Sequence, residues 1–339
     1  KVHSGATVTA GSAAGTGSVS VTAKNTNSFS TSSTAVAASG GVASISVAYS
    51  DYKAEADALL GVSLGTSANK VQHVGVQALS DTVKNATSSS STTGDNVLFN
   101  AGPSGTTVST LLSQLLGSLS NASSGVPIKV GSAVTIANSN LSASAAIAAD
   151  PGDTAPTIHA SGNVVVASRQ RDFGVRLLAD SSTNSNSKDP TGSNPEAQVS
   201  LSFGIAVGNY THNSTASIGS GVRINANRIG VAGLSENPIS NTWTNWSGLG
   251  EVFSHLNGNL GIVNNILTSY ANASSSSTDL GLAGAVGYFR VSNDTSAYVA
   301  SGATLNQTSG IGAWTTTLAA NYLQNWSQGV SIVADTDQH

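Results

Sequence analysis

The chain has 339 residues and a formal net charge of −4, from 13 Lys and Arg against 17 Asp and Glu. Charged residues make up 9% and aromatic residues 5%, far below an ordinary soluble domain, which excludes a charge-rich disordered tail and disfavours a phosphate-binding surface. With no cysteine there is no disulfide framework, thiolate nucleophile or Cys-based zinc site.

Taken in chain order, the pattern is one of short alternating runs closed by Ser-Gly corners. A turn unit stands at Val2-His3-Ser4-Gly5-Ala6-Thr7-Val8, and an alternating run follows at Ser18–Ala23. Ala43 to Tyr49, with Ile45, Val47 and Tyr49 in phase, predicts a strand with one large and one small face. Lys70–Ala78 reads as another strand, and Ser88 to Thr93 as a flexible connector. From Val108 the spacing changes: Val108, Leu111, Leu112, Leu115, Leu116 and Leu119 follow the i, i+3, i+4, i+7 series of an amphipathic helix over about 104–121.

Looser copies of the turn unit are read at Val130–Ile136 and at Ile158–Val165. The longest alternating run, Val199 to Val207, has apolar residues at odd positions and Ser, Gly or Ala at even ones; Leu282 to Val291 is its counterpart. Turn units recur at Ile218–Ile224 and Val299–Leu305, with Arg228–Ala232 as a following strand. A second helical series, Leu249 to Tyr270, predicts an insertion over about 249–270. The recurring order is thus long strand, polar bend, Ser-Gly turn and short strand, around Tyr49, Tyr210 and Tyr288. Such recurrence favours a solenoid over a sandwich or closed barrel, because one coil cannot bury its interior face while stacked coils share a core of Val, Ile, Leu and Ala.

The chemistry-bearing residues are dispersed. Asp51, Glu55 and Asp57 share one strand face with Lys53 between them, a pattern expected of a solvated edge. Arg169-Gln170-Arg171-Asp172 is the densest positive feature and reads as an exposed strand end with Asp172 as its own counter-charge. No two histidines stand two or four residues apart, and no nucleophile motif or phosphate loop occurs. No cofactor is expected; oxygen ligands for a structural calcium are offered by Asp150 and Asp153 or by Asn293 and Asp294, without the spacing of a known calcium loop. Trp243, Trp246, Phe253, Trp314 and Trp326 cluster in an aromatic-poor chain. They are the expected interaction residues, through stacking on sugars or anchoring an interface, unless they pack the insertions onto the solenoid.

The stretches Gly204–Gly208, Asn213–Val222 and Ile224–Ala226, and again Gly284–Gly287 and Asn293–Gly302, resemble the β-strand repeats of giant bacterial surface adhesins and filamentous-haemagglutinin-like exoproteins. The resemblance covers about half the chain, and the two helical segments depart from it. It implies a right-handed parallel β-helix used as stalk or adhesive fibre at the cell surface, and supplies no catalytic residues.

The expected fold is therefore all-β: one parallel β-helix, or β-solenoid, over 1–339 with two amphipathic helical insertions. The lack of methionine, position 1 included, predicts a segment of a larger protein. The expected function is structural or adhesive, extracellular and bacterial. Partners are end-to-end copies, neighbouring domains, or a glycan or host-surface ligand; neither nucleic acid nor membrane insertion is expected. The rival is a polysaccharide-binding or polysaccharide-cleaving β-helix enzyme, which needs converging carboxylates.

Overall fold

A computed structural model describes residues 1–2, 17–38, 43–94, 128–184, 199–237, 267–276, 280–307 and 329–338. Among these residues the secondary structure is entirely β. Runs that alternate large and small side chains, rich in Val, Ile, Thr and Ser, fit the pleat of a strand. Gly-containing corners, with left-handed Gly65, Gly152, Gly221 and Gly302, interrupt them.

The strands form three parallel sheets. Sheet A stacks β2 (Ala43–Leu60), β4 (Ile128–Ile147), β7 (Val199–Ile218) and β11 (Leu280–Val299). Sheet B stacks β1 (Val19–Ala38), β3 (Val74–Gly94), β6 (Asn163–Asn184), β9 (Arg228–Asn237) and β13 (Val330–Gln338), with β10 (Leu267–Ser276) also paired to β6. Sheet C is the narrow side, made of β5 (Thr157–His159), β8 (Arg223–Ala226) and β12 (Thr304–Gln307). The chain runs A, C, B and back to A, and every pair is parallel. This is the parallel β-helix expected from the repeats. Strands of 20 residues reach roughly 65 Å, so each coil is several times wider than the roughly 20 Å through which the coils stack.

Register is kept row by row. Val2, Leu60, Ile147, Ile218 and Val299 lie in one row at the corner from sheet A to sheet C. The Ser-Gly corner has a physical reason there. Gly221 and Gly302 adopt φ of 71° and 76°, a left-handed conformation that costs other residues energy, and Ser220 Oγ donates to the Ser301 carbonyl at 2.8 Å, linking corner to corner.

Each coil has two unlike halves. In the half beside sheet C, Leu60, Ile147, Ile158, Val164, Val166, Ile218, Ile224 and Ile229 form a dry aliphatic core. In the far half the two long sheets approach over Ser, Thr, Ala and Gly. Ser200 Oγ bonds Thr183 Oγ1 at 2.8 Å, Ser202 Oγ bonds Ser181 Oγ at 2.8 Å, and Ser46 Oγ bonds Ser33 Oγ at 3.0 Å. A Cβ added at Gly131 would lie 2.8 Å from Thr183 Cγ2, so small residues set the sheet spacing here. A second cluster of Ala133, Ala137, Leu177, Ala179, Ala206 and Tyr210 lies inside, and a third, of Val165, Ala167, Ala232 and Leu234, is buried on the outer side of sheet B.

Between the halves runs a seam. Phe29 stacks on Tyr52 with ring centroids 4.2 Å apart, and Tyr210 packs on Phe289 at 5.1 Å. On sheet B a register shift between Thr82 and Val83 makes Phe173 the extra residue of β6, a bulge. The same rows divide β9 from β10: β9 pairs β6 up to Arg171 and β10 resumes at Val175, with residues 238–266 inserted between them.

Several expectations are corrected. The polar bend expected around Tyr210 does not exist: β7 runs unbroken through it, with Tyr210, His212 and Ser214 directed inward and Asn209, Thr211 and Asn213 outward. Val130–Ile136 lies mid-strand beside Leu201–Val207, and Ile158 belongs to sheet C beside Ile224, so neither is a copy of the corner at Ile218. Small-large alternation resembles a corner wherever Ser or Gly falls between apolar residues. The end of the second helical insertion, Leu267–Tyr270, is strand in β10, held by parallel pairing to Val175–Leu178. Residues 249–266 and the insertion at 104–121 lie outside the described residues.

Candidate functional site

The aromatic residues expected to carry interactions, Trp243, Trp246, Phe253, Trp314 and Trp326, all lie outside the described residues. Asp51, Glu55 and Asp57 do share one face, outward on β2, where Lys53 pairs Glu55 and Lys1 pairs Asp57 at 3.1 Å. The Glu55 carboxylate, through its hydrogen bond and charge, holds the Lys53 ammonium above its ordinary value. Being exposed and screened, the pair adds little stability.

The Arg169 to Asp172 run splits by strand parity. Arg169 and Arg171 face outward and meet Asp81 at 3.2 Å and Glu236 at 3.1 Å. Asp172 faces inward, so it is not the counter-charge of its neighbours; its carboxylate oxygen Oδ2 stands 2.6 Å from His212 Nε2. His212 Nδ1 lies 2.9 Å from Asn293 Oδ1, so three strands meet on one imidazole. His212 and Asp172 are both fully buried. Burial pushes the hydroxyl of nearby Tyr210 well above its ordinary value, and the Asp172 charge adds to the effect.

An Asp–His pair can orient a general base, but here no solvent reaches either side chain. A buried imidazole held between Asp172 of β6 and Asn293 of β11 ties together the strands that meet at it and favours one register. Sequence reasoning missed it, because the partners are 40 residues apart and each sits among polar neighbours.

The suggested calcium ligands do not converge either. Asp150 and Asp153 close a turn, with Asp153 N–H donating to the Asp150 carbonyl at 3.0 Å, while Asn293 points inward and Asp294 outward from β11. Among the described residues no group of three or more His, Asp or Glu is placed to hold a metal ion.

The surface that stands out is the outer face of sheet A. In its far half the large side chains point out, reversing the expected core: rows such as Val47–Val134–Ile205–Val286 and Tyr49–Ile136–Val207–Tyr288 run across all four strands. Tyr49, Ile205, Leu280, Leu282, Val286 and Tyr288 are 37–61% exposed, whereas Val130, Ser132 and Val134 of β4, at outward positions of the same rows, are buried. The next outward row, Asp51–Asn138–Asn209–Arg290, is polar on every strand, so the outer face changes character at the seam, where the interior changes too. On sheet B the edge strand β1 is hydroxylic outside in its far half, with Ser28, Ser30, Ser32 and Thr34 exposed.

The end of the stack is a second surface. β11 pairs only β7 among the described residues, and Leu280–Tyr288 is exposed on both faces. No described helix is long and apolar enough to cross a membrane. Compared with known proteins, the chain matches no family model, no curated protein and no solved structure.

Proposed function

We propose that this solenoid is a structural, adhesive element of a large bacterial surface protein, working outside the cell as a stalk or as a fibre-forming subunit. The observation that carries the reading is the 20-residue edge of β11. Coil-on-coil pairing repeats without change of direction up to that edge, and among the described residues no strand pairs its outer side, which suits it to accept a further parallel strand. The likeness of Gly204–Ala226 and Gly284–Gly302 to adhesin repeats supports the same reading. The inner hydroxyl ladders and the absence of cysteine suit a rod stiffened by pairing alone. Helices over 104–121 and 249–266 belong to this proposal on spacing alone, as do Trp246 and Trp326 as glycan-stacking residues.

Electron microscopy of the purified chain over a concentration series, with the chain on beads tested for retention on glycan-coated and cell surfaces under flow, examines the proposal. Rods that lengthen with concentration support the fibre, and retained beads support the adhesive stalk. Rods of fixed length that hold no surface would overturn both.

A further inference from the structure

The seam between the two halves is also where the interior turns polar, and one coil there carries smaller side chains than its neighbours. On sheet B the inward positions form the row Asn25–Ser80–Gln170–Ser235–Thr336 and, beside it, Asn27–Thr82–Asp172. On sheet A the facing positions are Tyr52–Ser139–Tyr210 and Ala54–Leu141–His212. The contact of Asp172 with His212 shows that these rows meet across the interior. The first coil thus brings Asn25, Asn27, Tyr52 and Ala54 to the seam, and the third brings Gln170, Asp172, Tyr210 and His212. The second coil, β3 and β4, brings only Ser80, Thr82, Ser139 and Leu141, so its side chains fill less of the same cross-section.

Four polar atoms are stranded at this place. Ser80 Oγ, Thr82 Oγ1, Ser139 Oγ and Gln170 Nε2 are buried without a hydrogen-bond partner, in residues that are 0%, 1%, 5% and 0% exposed. The other end of the Gln170 amide is used, since Oε1 accepts from Ser235 Oγ at 3.2 Å. Buried polar atoms are as a rule paired with protein or with ordered water, and a stranded one is costly. We infer that the seam of the second coil binds ordered water through Ser80, Thr82, Ser139 and Gln170. Neighbouring strands of a row stand about 4.8 Å apart, a separation that one water spans by accepting from Gln170 Nε2 and donating to Ser80 Oγ. Three hydroxyls that both donate and accept, with one amide donor, match the hydrogen bonds of a buried water. The guest is neutral, because the Gln170 N–H repels a cation and the Asp172 carboxylate in the next coil repels an anion. Such water ties sheet B to sheet A in a coil that has no counterpart of the Asp172–His212 pair. The inference concerns the interior of the rod and does not rest on the stalk or fibre reading.

Water-oxygen relaxation dispersion of the full chain counts the waters that stay bound for longer than the molecule takes to tumble. Ser80→Ala combined with Thr82→Val removes two of the binding atoms and should lower that count by about one. Thr82→Ser keeps a hydroxyl and should keep the count, as should Ser30→Ala on the outer face of β1. Circular dichroism of each variant separates a lost water from a lost fold. If the combined change fails to fold, Ser139→Ala reaches the same water from the opposite sheet.

An unchanged count in the folded combined variant, or in folded Ser139→Ala, overturns the inference: the hydroxyls would then bond strand carbonyls and the seam would be dry. A crystal structure of the full chain gives a second reading. Density within hydrogen-bond distance of both Ser80 Oγ and Gln170 Nε2 is expected, and direct contact between those two atoms would remove the water site.

Discussion

The two halves of a coil use the same alternation of large and small side chains and turn it opposite ways. Beside sheet C the large residues point inward, and Leu60, Ile147 and Ile218 form one buried row. Beyond the seam they point outward on sheet A, and Ser202 and Ser181 meet inside instead. A period of two fixes which residues share a face, not which face is the interior. The facing sheet decides that, and here sheet B offers Ser181 and Thr183 rather than Val or Ile. Stability in the near half is therefore hydrophobic, and in the far half it rests on close approach and hydroxyl pairing.

This contrast can be broken first at the seam. Asp172→Ala leaves His212 without its carboxylate in a sealed interior, and an equilibrium denaturation midpoint should report a loss of about 3–5 kcal/mol. Next, Ile218→Ala in the near half should cost about 2–5 kcal/mol by opening a cavity. The outward Leu282→Ala should leave folding of the single chain within about 0.5 kcal/mol. Equal costs would mean that the far half hides its apolar face within one chain.

A smaller effect sharpens the far half itself. Ser202→Ala removes the donor to Ser181 and should cost about 1–3 kcal/mol, while the double change Ser202→Ala with Ser181→Ala recovers most of it, since no polar group is then stranded. The smallest effect needs alkaline pH. The Tyr210 hydroxyl is raised from its ordinary value of 10.0, so above that pH the unfolded chain releases a proton that the folded chain keeps. The stability Tyr210 contributes is whole below about pH 10 and falls by about 1.4 kcal/mol per pH unit above it. Melting curves between neutral pH and pH 11 should show this fall, and Tyr210→Phe should flatten it.

Much of the scaffold was legible in the sequence, and the reasons are local. Val199–Val207 declared a strand by its alternation. The units at Ile218 and Val299 declared stacked corners because a left-handed residue leaves a Gly behind. The parallel solenoid followed from their recurrence. What could not be read depended on contacts distant in the chain. The run from Asn209 to Thr215 resembles a bend because its polar residues look solvent-bound; only the facing Asp172 and the neighbouring Asn293 show that His212 is interior. Leu267–Tyr270 fits a helical stripe, yet pairing along β6 overrides that local preference. The paired carboxylates of Asp81 and Glu236 stand 88 and 65 residues from their arginines, so no spacing rule could have found them.

The division of one strand into β9 and β10 bears on how such a molecule can grow. Position along the stack is read from each row by backbone pairing, not by counting residues along the chain. Residues 238–266 can therefore stand between Asn237 and Leu267 while the rows on either side keep their partners on β6. Doubling the length of such an excursion adds only about 0.6 kcal/mol of closure entropy. The seam is thus a grafting site: foreign sequence can be spliced into the middle of a coil, and every coil after it still lands in its own row.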